Sequence, residues 1–157
     1  MQGPEIRLAR IDEAEKIAEC MELAFEPFRS QYSSGAFNDS VLTPDAVRKR
    51  MLSMTIYVAV AADGTVIGTL ASSAADGEGY LRGMAVRPDW QGHRIAEQLL
   101  ARVERDLLAA GCTFIRLDVT APLQRAVRFY ETNGFTATGE TGDFFGMPLY
   151  EYVKQLK

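Results

Sequence analysis

Met84-Ala85-Val86-Arg87-Pro88-Asp89-Trp90-Gln91-Gly92-His93-Arg94-Ile95-Ala96 is the stretch on which the reading of this chain turns. Met84 to Val86 end an apolar strand, and Pro88 stops it because its ring removes a backbone donor. A short loop with a single glycine, Gly92, then opens a helix. A helix N-terminus presents unpaired N–H groups and a partial positive charge. The segment from Gln91 to Ala96 therefore reads as an anion site of the kind that suits a pyrophosphate. Arg87 and Arg94 add full charges near its mouth.

Working outward, the helix runs from about Gly92 to Ala110. Ile95, Leu99, Val103 and Leu107 form one stripe, widened by Ala96 and Leu100, and Gly111 is placed to cap the C-terminus. Thr113 to Val119 is the next strand. The strand–helix–strand unit from Glu78 to Val119 is a crossover, so its two strands should run parallel. Upstream, Ile56–Ala61 and Thr65–Ser72 flank Asp63-Gly64, a strong hairpin signal, and Glu78–Val86 should pair with the second arm. Downstream, Pro122–Asn133 reads as a helix with Leu123, Ala126, Val127 and Tyr130 inward, stopped by Gly134. Phe135–Gly139 and Leu149–Val153 are closing strands.

Before the hairpin, Ile6–Ala9 alternates as a short strand. Asp12 and Glu15 form a capping-box pattern for a helix carrying Ile17, Cys20, Met21, Ala24 and Phe25. Pro27 to Gly35 reads as an irregular segment or a broken second helix, and its polar and aromatic mix makes it a candidate substrate loop. Thr43-Pro44 starts a helix to about Ser53. The order β-α-α-β-β-β-α-β-α-β-β predicts an α/β chain with a mixed sheet and helices on both faces. Without repeats or a linker, residues 1–157 read as one domain.

The net charge of −4 argues against a broad basic surface for nucleic acid. No run of 18 apolar residues suggests a membrane span, and the first residues lack a signal-peptide pattern. Cys20 and Cys112 stand outside any CxxC or Cys/His spacing, and His93 is the one histidine. These features predict a cytoplasmic protein with reduced thiols and no metal site.

The loop then becomes specific. GCN5-related N-acetyltransferases (the GNAT superfamily) carry a Gln/Arg-x-x-Gly-x-Gly/Ala signature after an apolar-Ala-Val-x-Pro strand end, and Gln91-Gly92-His93-Arg94-Ile95-Ala96 resembles it. Ala126-Val127-Arg128-Phe129-Tyr130-Glu131-Thr132-Asn133-Gly134-Phe135 resembles the family's Ala-x-x-x-Tyr-x-x-x-Gly-Phe helix end. The likeness spans about Ile6 to Val153. Arg94 departs from the usual glycine, and Leu123 from an asparagine that often contacts the cofactor. Neither G-x-G-x-x-G nor a P-loop lysine motif is present, which sets other nucleotide-binding folds aside.

The resemblance implies a central mixed sheet of six or seven strands with a splay between the two parallel central strands. It also implies acetyl-CoA as co-substrate. Met84, Ala85 and Val86 would bind the pantetheine arm as a surrogate strand. The amides from Gln91, Gly92, His93, Arg94, Ile95 and Ala96 would hold the pyrophosphate, with the His93 ring facing solvent. Leu123 and Phe129 would flank the cofactor, and a backbone N–H near Met84 would polarise the acetyl carbonyl. Tyr130, a core aromatic by spacing alone, becomes the candidate general acid. Glu78, which in its Gly77-Glu78-Gly79 setting reads first as a solvated turn residue, is a candidate base. Tyr80 aligns with the glutamate that family members often use, and Asp118 is a second carboxylate to consider. Phe25, Phe28, Tyr32, Phe144 and Phe145 are candidates for shaping the acceptor pocket.

The expected activity is acetyl transfer by direct attack of a primary amine, borne by a small molecule, an amino acid or a peptide N-terminus. The alternative is a non-catalytic acyl-CoA-binding sensor or interaction module, favoured by Arg94 and Leu123. The resemblance also suggests a homodimer through the last strands.

Overall fold

The computed structural model describes residues 3–120 and 123–156. The elements, in chain order, are β1 (Glu5–Leu8), α1 (Ala14–Phe25), α2 (Ser34–Ser40), α3 (Pro44–Arg50), β2 (Thr55–Val60), β3 (Val66–Ala75), β4 (Glu78–Val86), α4 (Ile95–Ala109), β5 (Phe114–Thr120), α5 (Gln124–Thr132), β6 (Thr136–Phe144) and β7 (Met147–Gln155). Short 3-10 turns occupy Ile11–Glu13, Glu26–Gln31 and Pro88–Trp90. The strands form one seven-stranded sheet in the order β1-β2-β3-β4-β5-β7-β6. Only β4 and β5 run parallel; β1–β2, β2–β3, β3–β4, β5–β7 and β6–β7 are antiparallel.

Helices cover both faces, so the inner strands bury side chains on both sides. In β2, Ile56, Val58 and Val60 join the core under α1 to α3. Tyr57 and Ala59 point the other way, into the core under α4 and α5. The period-2 alternation of a strand produces this division, and burial on both faces gives the near-continuous apolar run. The α4 stripe, Ile95, Leu99, Val103 and Leu107, is buried as its spacing predicts. Each such side chain contributes about 1.5–3 kcal/mol relative to exposure.

The predicted turn chemistry is present. Gly64 takes φ 89° in the β2–β3 turn, and Asp63 accepts from the Thr65 N–H at 3.0 Å. Cys112 N–H donates to Leu107 C=O at 3.0 Å past the left-handed Gly111, and Phe135 N–H donates to Tyr130 C=O at 3.0 Å past Gly134. Both are Schellman-type helix ends.

Three expectations need correction. The reciprocal bond at the first helix belongs to Glu13, whose carboxylate accepts from the Arg10 N–H at 2.8 Å, and not to the Asp12/Glu15 pair. Glu13 also holds Arg7 in a bidentate ion pair at 2.7–2.8 Å. The segment Pro27–Gly35 follows the second of its two readings, a broken helix. A 3-10 turn is followed by α2, which starts where the Ser33 hydroxyl accepts from Ala36 N–H at 3.2 Å. The closing strands are longer than read, because exposed polar residues extend β6 to Phe144 and the left-handed pair Phe145-Gly146 makes the turn. The long helix starts at Ile95, since Gly92 and Arg94 take positive φ. Pro122, read as the start of the following helix, lies outside the described residues; α5 begins at Gln124.

Candidate active site

The parallel strands β4 and β5 pair at only three positions, Glu78↔Phe114, Gly79↔Ile115 and Tyr80↔Arg116. Beyond them each strand stays with its other neighbour. β4 follows β3 out to Val86↔Gly68, and β5 follows β7 out to Thr120↔Leu149. The opening has a local cause. The β3–β4 register passes from Ala71↔Arg82 to Thr69↔Ala85, so Leu70 faces two residues, Gly83 and Met84. Gly83 sits at φ 73°, the left-handed geometry of a glycine bulge. A β-carbon there would lie 2.8 Å from the Arg50 guanidinium. The bulge bends β4 away from β5 and leaves a wedge in the sheet.

A cavity of about 790 Å³ fills this wedge and reaches both faces. On the α4–α5 side its wall includes Met84, Val86, Gln91, Gly92, Arg94, Ile95, Ala96, Leu123, Phe129 and Tyr130, while Ala85 between Met84 and Val86 belongs to the core under α1 to α3. On the α1–α3 side it includes Phe25, Phe28, Tyr32, Asp39, Arg50, Tyr80, Arg82, Asp118 and Phe144. The structure thus gathers the sequence-predicted loop, strand and helix around one space. His93 and Glu78 stand outside that wall.

The loop read from sequence as an anion site is tightly wound. Gly92 takes φ 86°, and Arg94, at the N-cap of α4, takes φ 61° and ψ 24°. A side chain in this conformation costs about 1–2 kcal/mol, which accounts for glycine being the family's usual residue. The Arg94 side chain is exposed and lies 3.6 Å from Glu97. His93 is exposed as expected, its ring 5.4 Å from that of Trp90. Arg87 turns away toward Glu19 of α1 at 3.7 Å and is absent from the cavity wall. The second charge comes instead from Arg125, which sequence reasoning missed. It donates to Gln91 Oε1 at 3.0 Å, while Gln91 Nε2 donates to Val86 C=O at 3.2 Å. Gln91 thereby ties the end of β4 to the start of α5. The exposed Arg125 is one of several charges on α5, and nothing in its spacing singles it out.

Tyr130 is buried, and its ring packs edge-on against Phe129 at 5.3 Å and Phe135 at 5.4 Å. Burial pushes its phenol well above the ordinary value, so it stays protonated. Leu123 is half-buried at the N-cap of α5 and touches both cores, presenting an apolar group where the family often has an amide. Glu78 sits at the closed end of the seam, 3.4 Å from Arg116, and does not reach the cavity. Asp118 does reach it, and accepts from the Tyr80 hydroxyl at 3.3 Å. Phe145 is exposed at the β6–β7 turn, where its carbonyl accepts from the Ser33 hydroxyl at 2.7 Å; Phe144 lines the cavity instead. Both cysteines are buried, and burial pushes the Cys20 thiol up to about 12. Among the described residues no cluster of three His, Cys, Asp or Glu could hold a metal ion, and no helix is long and apolar enough to cross a membrane.

The sequence and the fold are shared with known proteins. The sequence profile of the Acetyltransferase (GNAT) family matches residues 17–135. The spore coat polysaccharide biosynthesis protein SpsD of Bacillus subtilis is 35% identical over 130 residues, covering 74% of this chain and 42% of that protein. The chain therefore spans less than half the length of that relative. The PaiA N-acetyltransferase of Thermoplasma acidophilum, solved in complex with coenzyme A, superposes with a TM-score of 0.81 at 20% identity, covering 98% of this chain and 99% of the other. A GNAT-family acetyltransferase of Staphylococcus aureus Mu50 gives 0.80 at 19% identity, with 98% and 99% covered. These two likenesses are likenesses of fold. With the profile covering most of its length and both signature segments on the wall of the wedge between β4 and β5, the chain belongs to the acetyltransferase (GNAT) family.

Proposed function

We propose that this protein transfers the acetyl group of acetyl-CoA to a primary amine by direct attack. The observation that carries the reading is the wedge itself: β4 and β5 part after Tyr80↔Arg116 directly beside a left-handed loop at a helix N-terminus. The residues present fit the co-substrate. Free strand edges at Met84 to Val86 suit the amides of a pantetheine arm. The loop N–H groups from Gly92 to Ala96, with Arg94 and Arg125 nearby, suit a pyrophosphate. Acetyl-CoA supplies the thioester when bound.

The chain's residues then divide the work. A backbone N–H near Met84, at the bulge, stabilises the charge that develops on the carbonyl oxygen. As the amine nitrogen bonds to the carbonyl carbon and the C–S bond breaks, the Tyr130 phenol gives its proton to the departing sulfur. The amine must also lose a proton. Asp118 lies on the cavity wall and is the better-placed acceptor, directly or through water, whereas Glu78 is held by Arg116 away from it. Two buried thiols, one pushed up to about 12, are poor nucleophiles, which supports direct attack over an acyl-enzyme.

Calorimetry with acetyl-CoA, followed by a thiol-release assay across an amine panel, tests this. Saturable binding with amine-dependent CoA release supports the reading. Binding with no release from any amine favours the sensor alternative, to which the left-handed Arg94 and apolar Leu123 lend support. No binding removes both.

A further inference from the structure

The acceptor side of the cavity carries a charge that the transfer chemistry leaves unexplained. Arg50, the last residue of α3, projects its guanidinium against the Gly83 bulge, where a β-carbon on Gly83 would lie 2.8 Å from Nη1. Arg50 is half-buried and lines the cavity, and among the described residues its guanidinium has neither an ion-pair nor a hydrogen-bond partner. The nearest charged groups do not neutralise it. Arg82 on β4 is ion-paired with Asp39 of α2, so this corner holds two cations and one anion. Burial and the neighbouring Arg82 together hold the Arg50 guanidinium down to about 10, which still leaves it charged near neutral pH. The other carboxylate on this side of the cavity, Asp118, is itself engaged by Arg116 at 3.7 Å and by the Tyr80 hydroxyl at 3.3 Å, and Glu97 on the far side lies 3.6 Å from Arg94.

A guanidinium partly withdrawn from water without a paired carboxylate is costly. Arginine's planar fork matches a carboxylate with two parallel hydrogen bonds. One uncompensated positive charge calls for a single negative one. A second unused donor stands in the same wall: the Tyr32 hydroxyl is buried without a hydrogen-bond partner, and burial pushes its pKa up to about 12. Around it the wall is apolar and aromatic, with Phe25, Phe28 and Phe144.

We infer that the acceptor is an amine that also bears a carboxylate, of the amino-acid class with an apolar side chain, and that Arg50 is the residue that selects it. The inference rests on the acetyl-transfer reading and deepens it. Because Arg50 abuts the bulge beside Met84, the carboxylate it holds lies close to the reacting thioester. The amine and the carboxylate are therefore separated by few bonds, and the apolar side chain lies against the aromatic wall.

The test compares phenylalanine with phenylalaninamide, phenethylamine and an aminoalkyl phosphate, by CoA release and by calorimetric titration into the CoA-loaded protein. The free amino acid is expected to exceed the amide and the decarboxylated amine in kcat/KM by about tenfold or more, the scale of a hydrogen-bonded charge pair. In Arg50→Gln this ratio falls toward one, and Arg50→Lys, which keeps the charge and loses the fork, retains part of it. Thermal melting confirms that each variant is folded; if Arg50→Gln fails to fold, the Arg50→Lys ratio decides. Equal or better use of the amide, the simple amine or the phosphate overturns the inference. So does an unchanged ratio in the variants. Saturable acetyl-CoA binding without binding or turnover of any amino acid overturns the inference and leaves the transfer reading standing. Absence of acetyl-CoA binding removes the transfer reading itself.

Discussion

The Tyr80 hydroxyl donates to Asp118 Oδ2 at 3.3 Å, across the seam just where the two parallel strands lose contact. Tyr80 is the last residue of β4 paired with β5, and Asp118 lies two residues beyond its partner Arg116. Both side chains face α1 to α3, since Leu81 and Leu117 between them point into the other core. The pair forms the floor of the wedge on the acceptor side. Arg116 completes the arrangement, 4.7 Å over the Tyr80 ring and 3.7 Å from Asp118. Burial first, and then the Asp118 charge, raise the Tyr80 phenol, so it is a donor to the carboxylate and not a rival base.

This geometry separates the two candidate carboxylates by experiment. Asp118→Asn should lower kcat/KM by about 10²-fold, within the range for general acid–base groups. Glu78→Gln should leave it within about twofold, because its loss removes only a partly exposed ion pair with Arg116. Steady-state kinetics on both variants checks the assignment, and the reverse ranking would move the base to the closed end of the seam.

Gly83 is the residue whose replacement should close the wedge. Alanine there must adopt φ 73° and displace Arg50 from a 2.8 Å approach. Gly83→Ala is expected to destabilise the fold by about 1–3 kcal/mol and to weaken acetyl-CoA binding at least tenfold, since a relaxed bulge lets β4 return toward β5. Urea unfolding and calorimetry read the two effects. A stable variant with unchanged affinity would show that the bulge does not hold the strands apart.

Most of the sheet was legible because its strands and α4 obey simple periods. The Asp63-Gly64 turn, the apolar run of β2 and the Ile95/Leu99/Val103/Leu107 stripe each have one reading. The cofactor-side wall was legible for another reason: Gln91–Ala96 and Ala126–Phe135 resemble a family in which spacing encodes position. The rest depended on contacts distant in sequence. α2 is seven residues long, and its hairpin partner, the β6–β7 turn, reaches it over more than a hundred residues through Ser33 and Phe145. β6 is exposed along nearly its whole length, so no hydrophobic alternation marks its extent. Arg50 and Arg125 sit among other charges on their helices and Asp39 on a short polar one, and only the fold shows that they face the cavity.

The Arg7–Glu13 pair gives the molecule a definite acid response. Glu13 is buried, and the Arg7 guanidinium, with help from the Arg10 N–H, holds its carboxyl down to about 2 against an ordinary 4.5. Because the folded value lies below the unfolded one, the stabilisation is fully present above about pH 4.5 and drains away as pH falls toward 2. Its ceiling is about 3 kcal/mol. Glu13→Gln should therefore cost about 2–3 kcal/mol at pH 7 and progressively less between pH 4.5 and 2. Urea titrations at pH 7, 4 and 3 measure this; a cost independent of pH would show that packing, not charge, is what Glu13 contributes.

Arg94 stores strain in the anion loop. At φ 61° and ψ 24° it occupies a conformation glycine accepts freely. Arg94→Gly should raise stability by about 1 kcal/mol, with little lost from the exposed contact to Glu97. Acetyl-CoA affinity distinguishes backbone from side-chain binding of the pyrophosphate. Retention in Arg94→Gly means the amides suffice, whereas a drop that steepens at low salt assigns a phosphate contact to the guanidinium.

Tyr130→Phe tests the proposed acid with the least disturbance to the fold. The phenyl ring preserves the edge-on packing with Phe129 and Phe135. The segments Met84–Val86 and Gln91–Ala96, proposed to hold the cofactor, are untouched. Acetyl-CoA affinity should stay within about twofold, while turnover falls by about 10²-fold, the lower range for a lost general acid. Burial keeps the phenol protonated far above neutral pH, so the alkaline limb of the wild-type rate profile should not belong to Tyr130 and should persist, scaled down, in the variant. The outcome that removes Tyr130 from the chemistry is unchanged kcat at every pH. In that case the phenol is a packing residue, and the departing thiolate takes its proton from water.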